Sequence, residues 1–305
     1  MDILRVENLS KSFEETKIVD NISFSVPENC IFGFLGKNGA GKTTTMKMIL
    51  GLLRNDNGEI FVMDKKVKYG QNETNKYIGY LPDVPEFYGY MRPKEYLKLC
   101  GEITEMTNDE INKRSDELLK LVGLDNNKKK ISGFSRGMKQ RLGIAQALLN
   151  KPKLLICDEP TSALDPVGRK EILDILLKVK KETAVIFSTH ILSDVERICD
   201  KIALLNDTKL VLNGDLEDIK MKYSKNQIRI ELKDLEDVNK IKNCDRVKPY
   251  IDDLKYDKNI VIFNVKEVEK VEEIILNCFV ENNILPIKFE RVEPSLENLF
   301  MEVVK

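Results

Sequence analysis

Eight consecutive residues, Gly36-Lys37-Asn38-Gly39-Ala40-Gly41-Lys42-Thr43, match in full the spacing G-x-x-x-x-G-K-[ST] of a phosphate-binding loop. Backbone N–H groups must converge on a phosphate, and glycines at 39 and 41 clear side chains from that approach and permit the turn. The apolar run Ile31–Leu35 leads into the loop and a helix from about Lys42 to Leu50 leads out. The free N–H groups and dipole of that helix then face the anion. In this pattern Lys42 reaches the β- and γ-phosphates, the Thr43 hydroxyl ligates Mg2+, and Thr44 continues the binding turn.

A second constellation is Leu154-Leu155-Ile156-Cys157-Asp158-Glu159, an apolar strand that ends in two acids. The carboxyl edge of such a strand is where open α/β sheets bind their ligands. Asp158 is placed there to hold Mg2+ through water, and Glu159 to face an attacking water as base or polarising group. Two adjacent acids on their own are more often a solvated strand end; the buried strand and the upstream loop favour the chemical reading. His190, the one histidine of the chain, follows another apolar run in Ser188-Thr189-His190. A lone histidine is usually structural. At the same sheet edge it becomes a donor to the γ-phosphate, because phosphoryl transfer is catalysed mainly by placed charge and hydrogen bonds.

These side chains need a scaffold that ends several strands at one edge. Short strands are expected at Leu4–Val6, Ile22–Val26, Ile31–Leu35, Glu59–Val62 and Ile78–Leu81, the last closed by Pro82. Residues 92–150 turn helical. Pro93 suits a first helical turn, and Thr107-Asn108-Asp109-Glu110 has capping-box spacing before a helix over Ile111–Val122. Leu154–Cys157 and Ala184–Ser188 are continuous apolar runs, as in parallel strands buried on both faces, with a helix from about Val167 to Lys181 between them. The alternation predicts an α/β core with a helical insertion at about 84–150.

After Gly214 the chemistry-bearing patterns stop. Strand Gln227–Leu232, helix Val238–Lys242, strands near Val247–Ile251 and at Ile260–Val265, helix Val268–Val280 and strand Pro286–Glu290 spell βαββαβ. That order suggests a small α+β, ferredoxin-like domain, closed by a short helix over Ser295–Glu302. The domains are therefore expected at 1–220 and 221–305.

Composition narrows the class. A length of 305 residues, 42% of them hydrophobic and 32% charged, suits one large globular domain plus a smaller one. A formal net charge of -1 provides no basic field for nucleic acid, and the cluster Lys128-Lys129-Lys130 reads as a solvated loop. The six dispersed cysteines (Cys30, Cys100, Cys157, Cys199, Cys244, Cys278) form no CxxC pair, which fits a reducing cytosol and neither a zinc site nor a disulfide framework. No apolar run approaches the roughly 18 residues of a membrane span, and the N-terminus reads as no signal peptide.

With these residues in place the chain resembles the ATP-binding cassette (ABC) proteins. Phe134-Ser135-Arg136-Gly137-Met138-Lys139-Gln140-Arg141-Leu142 is similar to their signature motif, and Ser162-Ala163-Leu164-Asp165 to their D-loop. His190 sits as their switch histidine and Ile78-Gly79-Tyr80-Leu81-Pro82-Asp83 where their Q-loop belongs. Phe13 falls where an aromatic ring stacks on adenine. The resemblance covers residues 1 to about 220 with every motif in order. It implies a P-loop NTPase cassette, with a parallel-sheet core, N-terminal antiparallel strands and a helical subdomain, that binds and hydrolyses ATP with Mg2+. It also implies a homodimer or a paired second cassette, in which Ser135 and Gly137 of one cassette cap the γ-phosphate held by the other. These two residues open the helix Met138–Leu149 and present N–H groups to an anion; without the resemblance, Ser-x-Gly is only a good N-cap.

Three departures from the family pattern stand out. Arg136 adds a positive charge within the signature motif, Asp83 puts a carboxylate where the family usually has the amide of Gln, and Phe13 replaces the usual Tyr while keeping a ring face. Asp83 is kept as a candidate metal-side residue with Thr43 and Asp158. The single cassette with an extra tail resembles the ATPase subunits of bacterial exporters whose permease is a separate ABC-2-type chain. Phe87-Tyr88-Gly89-Tyr90-Met91, Glu95-Tyr96-Leu97 and Pro294-Ser295-Leu296-Glu297-Asn298-Leu299-Phe300 are similar to that subgroup; the aromatic run is either a permease contact or local packing. The resemblance implies a cytoplasmic subunit, peripheral on the inner face of the cell membrane. The competing class, a soluble ABC ATPase acting on ribosomes or DNA, typically carries two cassettes or an inserted coiled coil, and neither is present. A non-hydrolysing regulator would be expected to lose Glu159 or His190.

Overall fold

The computed structural model describes residues 1–305 apart from 72, 126, 128, 223–226, 243, 244, 247, 293–295, 304 and 305. Lys128, Cys244, Val247, Pro294 and Ser295, named above, lie outside the described residues. The chain divides into two compact units, Met1–Glu217 and Asp218–Lys305.

The first unit opens with a hairpin of two long strands, β1 (Asp2–Phe13) and β2 (Thr16–Pro27). Both outrun the short segments expected, because buried residues such as Leu4, Val6, Ile22, Phe24 and Val26 are interleaved with polar, partly exposed ones, which breaks up the apolar run. β3 (Ile31–Gly36) is buried at every position and feeds the glycine loop and α1 (Lys42–Ile49). β4 (Asn57–Val62) and β5 (Lys65–Lys66) complete an antiparallel sheet in the order β2-β1-β4-β5. Phe24 of this sheet packs its ring 5.4 Å from Phe32 and 5.3 Å from Phe34 of β3, which joins the two sheets through one core.

After β6 (Ile78–Leu81) come three helices, α2 (Pro93–Ile103), α3 (Asn108–Leu121) and α4 (Arg136–Ala147). Local chemistry sets their starts. Pro93 takes the first position of α2, Thr107 and Glu110 close a capping box on α3, and Ser135 Oγ accepts from Met138 N to cap α4. β7 (Leu154–Asp158), α5 (Pro166–Val179), β8 (Ala184–Thr189), α6 (Leu192–Ile198), β9 (Lys201–Asn206) and β10 (Lys209–Asp215) finish the unit. The sheet runs β10-β9-β3-β8-β7-β6, parallel throughout except for β10. α6, β9 and β10 are not among the expected elements, although Ile202–Leu205 is the same kind of buried apolar run as β7.

A short helix, α7 (Leu216–Lys222), leads to β11 (Gln227–Glu231), α8 (Leu235–Lys242), β12 (Ile251–Asp257), β13 (Ile260–Val265), α9 (Val268–Glu281), β14 (Lys288–Val292) and α10 (Leu296–Val303). The antiparallel order β12-β13-β11-β14 is that of a ferredoxin-like sheet. Two of its strands are shifted from expectation. Lys248–Tyr250 form a turn of 3-10 helix around Pro249, so β12 starts only at Ile251. β14 likewise begins two residues after Pro286.

Gly79 of β6 packs on the last turn of α4, where a Cβ would lie 2.2 Å from the Ala147 carbonyl oxygen. Gly79→Ala should therefore destabilise the first unit by about 1–3 kcal/mol, the usual cost of overpacking. A lowered urea midpoint is the expected result; an unchanged one would mean that α4 and β6 part without cost.

Candidate nucleotide site

Parallel register assembles the site. β8 lies between β3 and β7, and its pairing sets Leu35 beside Thr189 and Asp158 beside Ser188. The three strands thus end at one level. The glycine loop follows β3, Glu159 follows β7 and His190 follows β8, so residues more than 150 positions apart meet at one edge.

The loop has the conformation its glycines were expected to permit. Gly39 and Gly41 sit at φ of 82° and 105°, in the left-handed region that favours glycine. A Cβ on Gly41 would meet the Ile18 carbonyl oxygen at 2.9 Å, whereas the space over Gly39 is open to 4 Å. Gly41 is the N-cap of α1 with no side-chain cap and no acid in the first turn. The N–H groups of Lys42, Thr43 and Thr44 therefore point away from the helix without intrahelical acceptors, which suits an anion. Lys37, Asn38 and Gly39 are exposed, Ala40 half-buried, and the Ala40 N–H folds back on the Lys37 carbonyl at 3.1 Å. The Lys42 ammonium is buried, donating to the Gly36 carbonyl at 2.7 Å and lying 3.2 Å from Glu159 Oε1.

The acids are held with equal care. Asp158 accepts from Thr43 Oγ1 at 2.7 Å and from Ser188 Oγ at 2.6 Å. Two hard oxygens, Thr43 Oγ1 and Asp158 Oδ2, thus lie side by side beneath the loop, a donor set of the kind Mg2+ selects. Glu159 has a φ of 49°, unusual for a residue with a side chain. Its N–H is fixed by both Ser188 O at 3.2 Å and Ser188 Oγ at 3.0 Å. That turn sends Glu159 Oε2 to His190 Nδ1, 2.9 Å away. Glu159 Oε1 is buried and, its ion pair with Lys42 aside, accepts no hydrogen bond. Ser188, which the sequence reading did not single out, is thus the hinge of both acids; its direct adjacency to Thr189-His190 at a strand end was the available signal.

The remaining expected residues fall around this edge. Phe13 ends β1 with its ring nearly half exposed and pairs with Thr16 of β2, the strand whose Ile18 and Val19 pack on Gly41. Ser135 and Gly137 open α4, and a Cβ on Gly137 would lie 3.8 Å from Leu164. Asp83, after β6, is bonded to Arg136 at 3.2 Å. The Tyr80 hydroxyl is pushed up to about 12 by burial and by the nearby Asp158 and Asp83. Burial and Asp158 likewise keep the Cys157 thiol protonated.

A P-loop fold with an acid pair and a histidine at one sheet edge defines a nucleoside-triphosphatase class. The family model described as ABC transporter matches residues 19–162, and one described as the C-terminal domain of DrrA1-3-like ATP-binding proteins matches 214–304. The chain is 37% identical over 304 residues to YxlF, an uncharacterised ABC transporter ATP-binding protein of Bacillus subtilis, covering 99% of both chains. It is 36% identical over 308 residues to the bacitracin transport ATP-binding protein BcrA of Bacillus licheniformis, covering 99% of this chain and 97% of that one. Among solved structures, cbiO1 of Clostridium perfringens, part of the ABC transporter complex cbiONQ, superposes with a TM-score of 0.66 at 28% identity over 72% of this chain and 90% of its own. The chain belongs to the ATP-binding proteins of ABC transporters. It is an ATP-binding ATPase subunit, and among its described residues no helix is long and apolar enough to cross a membrane.

Ser188→Ala would remove a donor from Asp158 and an acceptor from the Glu159 N–H. Hydrogen bonds to charged groups contribute about 1.5–3 kcal/mol, so kcat for ATP should fall about ten-fold or more, with KM for ATP within about two-fold of the parent. An unaltered kcat would show that β8 does not orient the acids.

Proposed function

We propose that this chain is the ATPase subunit of a bacterial exporter, in which two cassettes close over ATP and drive a separate ABC-2-type membrane permease. The observation that carries the reading is the convergence of Lys42, Thr43, Asp158, Glu159 and His190 on one sheet edge under an uncapped helix N-terminus. The first 220 residues form the cassette, with the helical subdomain at about 84–150, and the remainder is an accessory domain. The likeness to the bacitracin transport protein supports export. The exposed rings of Tyr88 and Tyr90, 5.9 Å apart, support a permease contact. On this reading the chain works in the cytoplasm, peripheral to the inner face of the cell membrane, and does not bind nucleic acid.

Each residue takes one role. The N–H groups of Gly39 and of residues 41–44 cradle the phosphates, Lys42 neutralises the β- and γ-oxygens, and Phe13 stacks on adenine. Thr43 and Asp158 would hold Mg2+, which when bound would supply neutralisation of phosphate charge. Glu159 Oε1, buried and without a hydrogen bond, accepts from the attacking water, while His190 is held by Oε2 at the γ-phosphate end. Ser135 and Gly137 belong to no complete site within their own chain; they cap the γ-phosphate of a second cassette.

Glu159→Gln keeps the shape and removes the charge that accepts the proton. It should bind ATP, lose at least about a hundred-fold in turnover, the usual range for a lost general base, and accumulate as an ATP-bound dimer on a sizing column. Turnover near the parent's would remove Glu159 from this role. Separately, Ser135→Arg places a long cation where the second cassette's phosphate must sit. Activity should vanish while the monomer's ATP affinity in a direct titration stays unchanged; retained activity would rule out the shared site.

A further inference from the structure

The two charged departures from the family pattern, Asp83 and Arg136, touch each other. Arg136 Nη2 donates to Asp83 Oδ1 at 3.2 Å, and one helical turn on, buried Gln140 donates from Nε2 to the Asp83 carbonyl at 2.6 Å. The same face of α4 continues the seam. A Cβ on Gly143 would meet Leu81 Cδ1 at 2.5 Å, and Ala147 O closes on Gly79. Residues 136, 140, 143 and 147 follow helical spacing, so β6 and its exit loop lie along one stripe of the signature helix.

The electrostatics explain why a carboxylate belongs there. Arg136 is the first residue of α4, whose first turn contains no acid, and Lys139 follows. Cations at the positive end of a helix dipole are unfavourable. Asp83 supplies the missing anion from outside the helix. Asp83 and Arg136 line one open cavity of about 470 Å³ with Glu86 and Lys139, so charge pairing rather than packing fixes the guanidinium.

We propose that Asp83 is the counter-ion that positions Arg136 at the start of the signature helix, and is not a Mg2+ ligand. The inference rests on the shared-site reading above, because Arg136 lies between Ser135 and Gly137 in the chain, at the helix start that caps the phosphate of the second cassette. Asp83 is a positioning residue: its effect on turnover passes through Arg136, and its carboxylate is already committed to that guanidinium.

The test is a double-mutant cycle on the full chain with Asp83→Asn, Arg136→Gln and both together, measuring ATPase against ATP and against Mg2+. Each single change should lower kcat about two- to five-fold, the scale of a partly exposed ion pair, and the double variant should match Arg136→Gln alone. KM for ATP, half-saturating Mg2+ and the thermal midpoint should not move in any of the variants. A rise in half-saturating Mg2+ on Asp83→Asn, with or without Arg136, would make Asp83 a metal ligand and overturn the proposal. So would additive effects, or no effect of Asp83→Asn in the parent background. Ser135→Arg separates the two readings: full activity there removes the shared site and this inference with it, while loss there together with additivity at 83 and 136 removes only the positioning role.

Discussion

The site depends on the parallel alignment of β3, β8 and β7. Side chains alternate across a strand, so a slip of one residue in either pairing would turn Asp158 away from Thr43 or carry Glu159 away from Lys42. The alignment is secured by burial, since all three strands are inaccessible at nearly every residue and each makes its hydrogen bonds to a neighbour on both sides. An edge strand could not serve. The apolar runs that gave these strands away in the sequence are the same residues that fix their level, and Asp158 and Ser188, just beyond the runs of β7 and β8, are left at the sheet edge beside the glycine loop that follows β3.

Onto that edge the fold brings two helix N-termini of different character. α1 begins with glycine and no capping side chain, leaving its N–H groups free, whereas α4 begins with Ser135, whose hydroxyl caps Met138 N, and with a cation. A capped start is the more stable one. An uncapped start retained beneath an acid pair is a sacrifice of stability to anion binding, of the kind that functional sites tolerate. The positive φ of Glu159 has the same origin. A residue there would relax toward an extended turn were its N–H not held by Ser188, and the relaxed form would lose both His190 and Lys42.

Much of this was legible in the residues. The loop spacing, the two acids after an apolar strand and the lone histidine carried their placement on their face, because each is a local pattern bound to an adjacent element. The capping box of Thr107 and Glu110 was legible for the same reason. Ser188 was not, since its importance comes from lying beside Asp158 on the neighbouring strand, 30 residues away in sequence. Nor was the Asp83–Arg136 contact, in which the partners lie 53 residues apart and each looks like an isolated departure. The ends of β12 and β14 were misplaced because edge strands of a small sheet alternate charged and apolar residues, and prolines shift their starts.

The distribution of buried polar groups separates the two units. Lys42, Gln140, Asp158, Thr161, Ser188, Thr189 and Asp194 are all buried in the first, where each polar atom taken out of water costs stability unless it is paired. Among the described residues of the second unit no polar or charged side chain is buried; its core is Ile228, Ile230, Val261, Phe263, Val271, Ile275 and their neighbours. Its ion pairs, Arg229–Glu290, Arg246–Glu281 and Arg291–Glu272, lie at or near the surface, where such pairs contribute little. Among the described residues the buried polar groups therefore lie in the first unit, where Lys42, Asp158 and Ser188 of the nucleotide site are among them, while the second unit is held by an apolar core.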